Sequence, residues 1–270
     1  MTLQERTTGR EKRISIYDRF PNLGEIPKDA FPKHVLIIPD GNGRFSANVD
    51  EMPLFGHQLG SKVILTVIRD LRQLPIDGVS LWGFSANNWA RPESEVKGLM
   101  QLFEGYARNQ DLQDELMDDN VRFVHLGRKD RIPESLRDAL TQLEEMTGNN
   151  SGKFLSLLID FGGQDQMRRM LEAVRQNPPS VPITEEMMTQ FQDGRGLVPP
   201  ADLVIRTSGE QRMSGLGWIG DGANTEFYSI PKLLPQTSTE DYIEAIIDFT
   251  KRQRRFGGRP QGQQVVFTKE

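Results

Sequence analysis

Val35-Leu36-Ile37-Ile38-Pro39-Asp40-Gly41-Asn42-Gly43-Arg44-Phe45 changes character at its middle. Four apolar residues, enough for a buried strand, run into a proline and then into a loop. That loop holds a carboxylate, an amide, a guanidinium and two glycines. Gly41 and Gly43 accept left-handed backbone, which lets N–H groups converge on one concavity of the kind that cradles phosphate. Arg44 adds a planar fork that matches phosphate oxygens. Asp40 is repelled by phosphate unless a divalent cation stands between them, so the loop reads as a Mg2+-diphosphate site at the carboxyl end of a strand. The same residues also suit an ordinary strand-to-helix turn, where Asp and Gly are common.

Strand-like runs recur outward from this point. Residues 79–84 end in Ser85-Ala86-Asn87-Asn88-Trp89-Ala90-Arg91-Pro92, and residues 121–126 end in Gly127-Arg128. Residues 154–159 end in Asp160-Phe161-Gly162-Gly163, and residues 203–205 in Arg206-Thr207-Ser208-Gly209-Glu210. Residues 226–230 are the candidate for a sixth strand. Between them, apolar residues fall at helical spacing: Val63, Ile64, Val67, Ile68 and Leu71 after His57; then Val96, Leu99, Met100, Phe103 and Tyr106. Leu136, Leu140 and Leu143 form a third such face, and Ile243, Ile246, Ile247 and Phe249 close the chain. Strands alternating with amphipathic helices predict an α/β domain, a mostly parallel central sheet of about six strands flanked by helices. The polar strand ends then share one edge of the sheet, where ligands bind in such folds. Residues 1–30, broken by Pro21 and Pro27, form an N-terminal extension that packs on the domain or moves freely; residues 31–270 form the domain.

Composition limits the function. A formal charge of −5 over 270 residues argues against nucleic-acid binding, which needs a basic face. No apolar run has the length of a membrane span, and Met1 to Arg13 lacks the apolar core of a secretory signal. The expected compartment is the cytoplasm. With no cysteine, disulfides and thiolate metal sites are excluded.

A second cationic group follows the fifth strand. Arg206, Arg212 and Ser214 can wrap another diphosphate with charge-assisted bonds, and Glu226 can share a cation with it. The alternative is a surface ion-pair network of Arg206, Arg212 and Glu210. Two diphosphate sites on one edge point to condensation of two diphosphate-bearing substrates. Neither a GxxxxGK[ST] loop nor a GxGxxG turn after a strand is present.

These residues also carry a resemblance. HVLIIPDGNGRFS (34–46), FGHQLG (55–60), FSANNWARPESEV (84–96), HLGRKDRIP (125–133), DFGGQDQM (160–167), DLVIRTSGEQRMS (202–214), EFY (226–228) and RQRRFGG (252–258) resemble the cis-prenyltransferases, whose best-known members are undecaprenyl diphosphate synthases. The resemblance implies helices around a hydrophobic tunnel, a homodimer, Mg2+ as cofactor, and allylic and homoallylic isoprenoid diphosphates as substrates. It implies that Asp40 and Glu226 bind the metal. Gly41, Asn42, Gly43, Arg44 and Phe45 correspond to the allylic-diphosphate loop, and His57 to a motif histidine. Ser85, Asn88, Trp89 and Arg91 correspond to a mobile loop beside the active site. Arg206, Arg212 and Ser214 correspond to the isopentenyl diphosphate site. Arg255 to Gly258 correspond to a segment that reaches the partner subunit's site. The catalytic set implied is Asp40, Asn42, His57, Ser85 and Asn88.

The chain departs from the family pattern at Pro53 (commonly arginine), Phe45 (tryptophan), Asn87 (an acid), and Asp160 and Gln164 (the first and last residues of NYGGR). Residues 217–225 lack the usual aromatic pattern. Loss of two cations and an acid near the allylic site keeps a second outcome open: irregular head-to-middle condensation giving a branched, lavandulyl-type diphosphate. A third is an inactive accessory subunit.

Overall fold

The computed structural model describes residues 14–217 and 224–254. Six strands form one sheet: β1 (His34–Ile38), β2 (Gly78–Ser85), β3 (Arg122–Leu126), β4 (Phe154–Phe161), β5 (Leu203–Arg206) and β6 (Glu226–Ser229). The order is β3-β4-β2-β1-β5-β6 and every pairing is parallel. Parallel order requires crossovers, and from β1 to β5 helices supply them; nine α-helices are described in all. They are α1 (Ile16–Arg19), α2 (Asn42–Asn48), α3 (Pro53–Leu71), α4 (Glu93–Ala107), α5 (Gln110–Asp118), α6 (Glu134–Met146), α7 (Gly163–Gln176), α8 (Glu185–Phe191) and α9 (Thr239–Thr250).

β1 lies inside the sheet, and all five of its residues are buried. Val35 and Ile37 join one core cluster with Leu71, Phe84, Leu136 and Ile246, whereas Leu36 and Ile38 join a second with Trp82, Leu158 and Val204. Side chains on alternate faces explain why this strand reads as an unbroken apolar run. β3 is an edge strand, with two of its outward amides covered by side chains. Thr147 Oγ1 accepts from Phe123 N at 3.0 Å, and Glu144 Oε1 from His125 N at 2.8 Å. Covering of this kind blocks edge-to-edge pairing.

Residues 14–30 lie against the domain. Ile16 and Leu23 belong to the first core cluster, and Arg19 Nη1 meets the buried Asp70 at 2.7 Å. Three further differences from the sequence reading appear. α3 starts at Pro53, earlier than its apolar period indicates, so Gly56 and His57 are helical. α5 was not expected, since its apolar residues at Leu112 and Leu116 are too few to show a period. Gly43 is inside α2 and only Gly41 takes positive φ, at 101°. Among the described residues, no helix is long and apolar enough to cross a membrane.

Candidate active site

The carboxyl ends of β1 and β5 are neighbours, because Ile38 pairs with Arg206. That register brings Asp40 and Arg206 together. Arg206, 6% exposed, donates from Nη2 to Asp40 Oδ2 at 2.9 Å and from Nη1 to Ser214 Oγ at 2.8 Å and to the Arg212 carbonyl. Arg44 Nη2 lies 3.2 Å from Asp40 Oδ1 and also bonds Ser208, while its Nη1 meets Glu210 at 3.3 Å. Burial opposes ionisation of Asp40, but the bonds and charges of Arg206 and then Arg44 outweigh it, holding the carboxyl below its usual range. Thr207 pins the loop: its hydroxyl accepts from Asp40 N at 2.8 Å and donates to Asp40 O at 2.7 Å.

Helix α2 begins beside Asp40, and its first-turn amides lack partners within the helix. Two glycines of α3 permit this placement. A Cβ on Gly56 would strike the Asn42 carbonyl, and one on Gly60 would strike Asn42 Oδ1. Mid-helix glycine costs about 1 kcal/mol relative to alanine, so close approach of α2 is the return for both. The fully buried Ser46 stitches the pair, accepting from Gly56 N at 2.8 Å and donating to Pro53 O at 3.2 Å. Asn42 Oδ1 is buried and has no hydrogen-bond partner among the described residues.

The segment after β2 forms the tight turn Ala86–Ala90. Asn88 Oδ1 accepts from Ser85 N at 2.9 Å, and the Ser85 side chain accepts the reciprocal backbone bond. Both polar side chains thus hold the turn's shape. Arg91 Nη1 bonds Glu95 Oε1 at 3.1 Å, and the same oxygen lies 3.4 Å from His57 Nε2. Burial and then the Arg91 charge lower the pKa of His57, overriding Glu95, so this is a long contact to a neutral ring near pH 7.

Other expected residues lie elsewhere. Arg212 turns outward and pairs with Glu210. Glu226 opens β6 level with Leu203, while Arg206 closes β5 level with Ser229. Three residues of strand, roughly 10 Å, separate the two levels. Within one chain Glu226 therefore does not converge with Asp40, and it pairs with Arg252 at 2.7 Å instead. Arg255 to Gly258 fall outside the described residues. Sequence reasoning passed over Thr207, Ser208, Glu95, Gly56 and Gly60; only the paired glycines of FGHQLG, four apart on one helix face, carried a signal.

As a cation ligand, Asp40 offers a hard, ionised carboxylate, 28% exposed, next to two guanidiniums. Mg2+ is commonly held by one or two carboxylates together with substrate phosphates, so this donor set fits. Behind the site lies an apolar cavity of about 100 Å³ bounded by α3, α4, α5, α6 and the sheet, with Ile64, Leu81, Phe103, Leu116, Leu140 and Leu157 on its wall. Ser61 also lines it, one residue from the Gly60 that touches Asn42, and its hydroxyl bonds Tyr106 Oη at 2.8 Å.

Comparisons with known proteins identify the family. Residues 38–257 match the family described as putative undecaprenyl diphosphate synthase. The chain belongs to this family, the cis-prenyltransferases. An isoprenyl transferase of Clostridium perfringens is 37% identical over 237 residues, covering 86% of this chain and 92% of the relative. One from Aquifex aeolicus is 36% identical over 227 residues, covering 84% and 96%. The crystal structure of lavandulyl diphosphate synthase from Lavandula x intermedia, in complex with dimethylallyl diphosphate, is similar with a TM-score of 0.78. It is 29% identical, covering 85% of this chain and 99% of that one. A probable undecaprenyl diphosphate synthase from Campylobacter jejuni shares the fold at a TM-score of 0.68 and 24% identity, covering 84% of this chain and 98% of that one. This cis-prenyltransferase is thus an enzyme of isoprenoid biosynthesis, a prenyl diphosphate synthase by family.

Proposed function

We propose that this cis-prenyltransferase condenses an allylic diphosphate with isopentenyl diphosphate, with Mg2+ as cofactor, and makes a short Z-configured chain as a cytoplasmic homodimer. The observation that carries this reading is the meeting of Asp40, Arg44, Arg206 and Ser214 at one sheet edge, in front of an apolar cavity. Asp40 would hold Mg2+, which when bound offsets the charge of the departing diphosphate. The α2 amides and Arg44 bind that diphosphate and stabilise its negative charge as the C–O bond breaks. Arg206 and Ser214 hold the second diphosphate, so that its double bond attacks the allylic carbon and forms the new C–C bond. Loss of a proton from the attacking unit then restores a double bond. Release of Arg206 from Asp40 as a cation and phosphates enter is part of this reading.

The apolar wall, from Ile64 and Leu81 to Leu140 and Leu157, suits a hydrocarbon tail. The resemblance supports a homodimer, in which Arg255 to Gly258 would reach the partner subunit's site.

A second reading, irregular condensation of two allylic units, is favoured by Pro53, Asn87 and Gln164 and by the likeness to the lavandulyl diphosphate synthase. One experiment separates the two. Purified chain and Mg2+ are incubated with dimethylallyl, geranyl or farnesyl diphosphate, with and without isopentenyl diphosphate, and the alcohols are identified after dephosphorylation. Linear products that require isopentenyl diphosphate support the first reading; branched products from allylic substrate alone replace it with the second. If neither forms, the accessory-subunit reading stands.

A further inference from the structure

β2 and β4 do not run in simple register to their ends. Trp82 pairs with Leu158, Phe84 with Ile159, and Ser85 with Phe161, so Gly83 on one strand and Asp160 on the other fall out of the ladder. Asp160 takes φ 52°, in the left-handed region that side chains seldom adopt. A bulge re-aims the residue it ejects, and bulges gather beside active sites. Here the ejected carboxylate is fully buried and accepts from three donors. Arg131 donates from Nε at 2.6 Å and from Nη2, and Trp89 donates from Nε1 at 2.9 Å. The Trp89 ring also packs edge-on against Phe84, with centroids 5.1 Å apart. Three loops are thereby joined at the candidate site's edge: that after β2 through Trp89, that after β3 through Arg131, and the β4 end through Asp160.

We propose that Asp160 is a positioning residue: anchored by Arg131 and displaced from β4 by the bulge, it fixes Trp89 and so the turn that sets Ser85, Asn88 and Arg91. This rests on the reading of residues 85–91 as part of the active site. The acid itself matters. An amide at 160 keeps one acceptor oxygen, so meeting the Trp89 N–H would turn its NH2 toward a guanidinium N–H, donor against donor. A buried carboxylate without such partners would be strongly disfavoured, which ties the ion pair and the tryptophan bond into one unit.

The test uses the full chain and three variants: Trp89→Phe, which keeps the packing on Phe84 and removes the bond; Asp160→Asn; and the double variant. Hydrogen exchange of a peptide spanning residues 84–92 should speed up at least tenfold in each single variant, with exchange in β1 and α9 unchanged. In prenyl transfer, kcat should fall about tenfold in each while the affinity for inorganic diphosphate with Mg2+ holds within twofold. The double variant should match Trp89→Phe in both measurements, because Asp160 acts through Trp89. Unchanged exchange at 84–92, unchanged kcat, or an additive double variant would each overturn the proposal. If Asp160→Asn does not fold, Trp89→Phe alone decides by the first two criteria. If the wild-type chain transfers no prenyl group, the functional reading fails by itself. The exchange data then decide the latch, and additive effects on exchange overturn it.

Discussion

Asp40 and Arg206 stand 166 positions apart in the chain and meet at 2.9 Å, with Ser214 on the other arm of the same guanidinium. The fork is used on both sides, so its shape matters as well as its charge. Arg206→Lys keeps the charge and cannot span Asp40 and Ser214 together. We expect kcat/KM to fall by about 10²-fold, mostly through the KM for the isopentenyl substrate, and Asp40→Asn to cost about 10³-fold. Steady-state kinetics with each substrate varied in turn checks both. A normal KM in Arg206→Lys would remove Arg206 from the second diphosphate site.

Two glycines on neighbouring helices should respond to alanine in opposite ways. Gly43 lies in α2 with open space where a Cβ would go, so Gly43→Ala should stabilise the fold by up to about 1 kcal/mol through helix propensity. At Gly60 the added methyl meets Asn42 Oδ1 and Leu234. Despite the better helix former, Gly60→Ala should destabilise by about 1–3 kcal/mol and displace Asn42. Urea denaturation of both variants checks the signs. A stable Gly60→Ala would mean that α2 does not need its close seat on α3.

The parallel sheet was legible because strands such as Val35 to Ile38 are covered on both faces and so read as apolar runs. The candidate diphosphate-site residues were legible in kind, since Asp40, Arg44, Arg206 and Ser214 lie at or after the carboxyl ends of β1 and β5. Strand register was not. Glu226 was expected to share a cation with the diphosphate held by Arg206, yet Glu226 opens β6 while Arg206 closes β5, a matter of pairing rather than of local sequence. The place of Asp160 was equally hidden, because a bulge belongs to two strands and marks neither. Helix α3 was read late because Gly56 and Gly60 resemble helix breakers, whereas here they are packing surfaces.

Tail length should respond to the wall of the apolar cavity. Ser61 and Tyr106 form a polar crossbar across it, joining α3 to α4 at 2.8 Å. Tyr106→Ala removes the crossbar and a ring from a lining position, so products should lengthen by one or more five-carbon units. Ser61→Phe fills the cavity near Gly60 and should shorten them. Chromatography of dephosphorylated products reads both. Unaltered length in both variants would show that another part of the wall ends the chain.

Acid should begin to weaken this fold near pH 6.5, because of His34. The ring is fully buried, with Nδ1 2.8 Å from the Pro199 carbonyl and Nε2 2.7 Å from Ser80 Oγ, which continues to Ser156. A carbonyl can only accept, so Nδ1 carries the proton and the neutral ring accepts from the Ser80 hydroxyl. Burial pushes its pKa down to about 4, against the opposing pull of the Pro199 and Pro200 carbonyls and Asp202. An unfolded histidine takes up its proton near pH 6.5, so between that pH and about 4 the unfolded chain binds more protons than the folded one. Stability is therefore complete above pH 6.5 and falls as pH drops, by about 3 kcal/mol in all. His125, buried with its pKa also lowered, adds a slope of the same sign. Urea melts at intervals from pH 7 to 4.5 should show this loss. His34→Gln, less stable at pH 7, should show a distinctly shallower one. An unchanged slope in His34→Gln would assign the acid sensitivity to other groups.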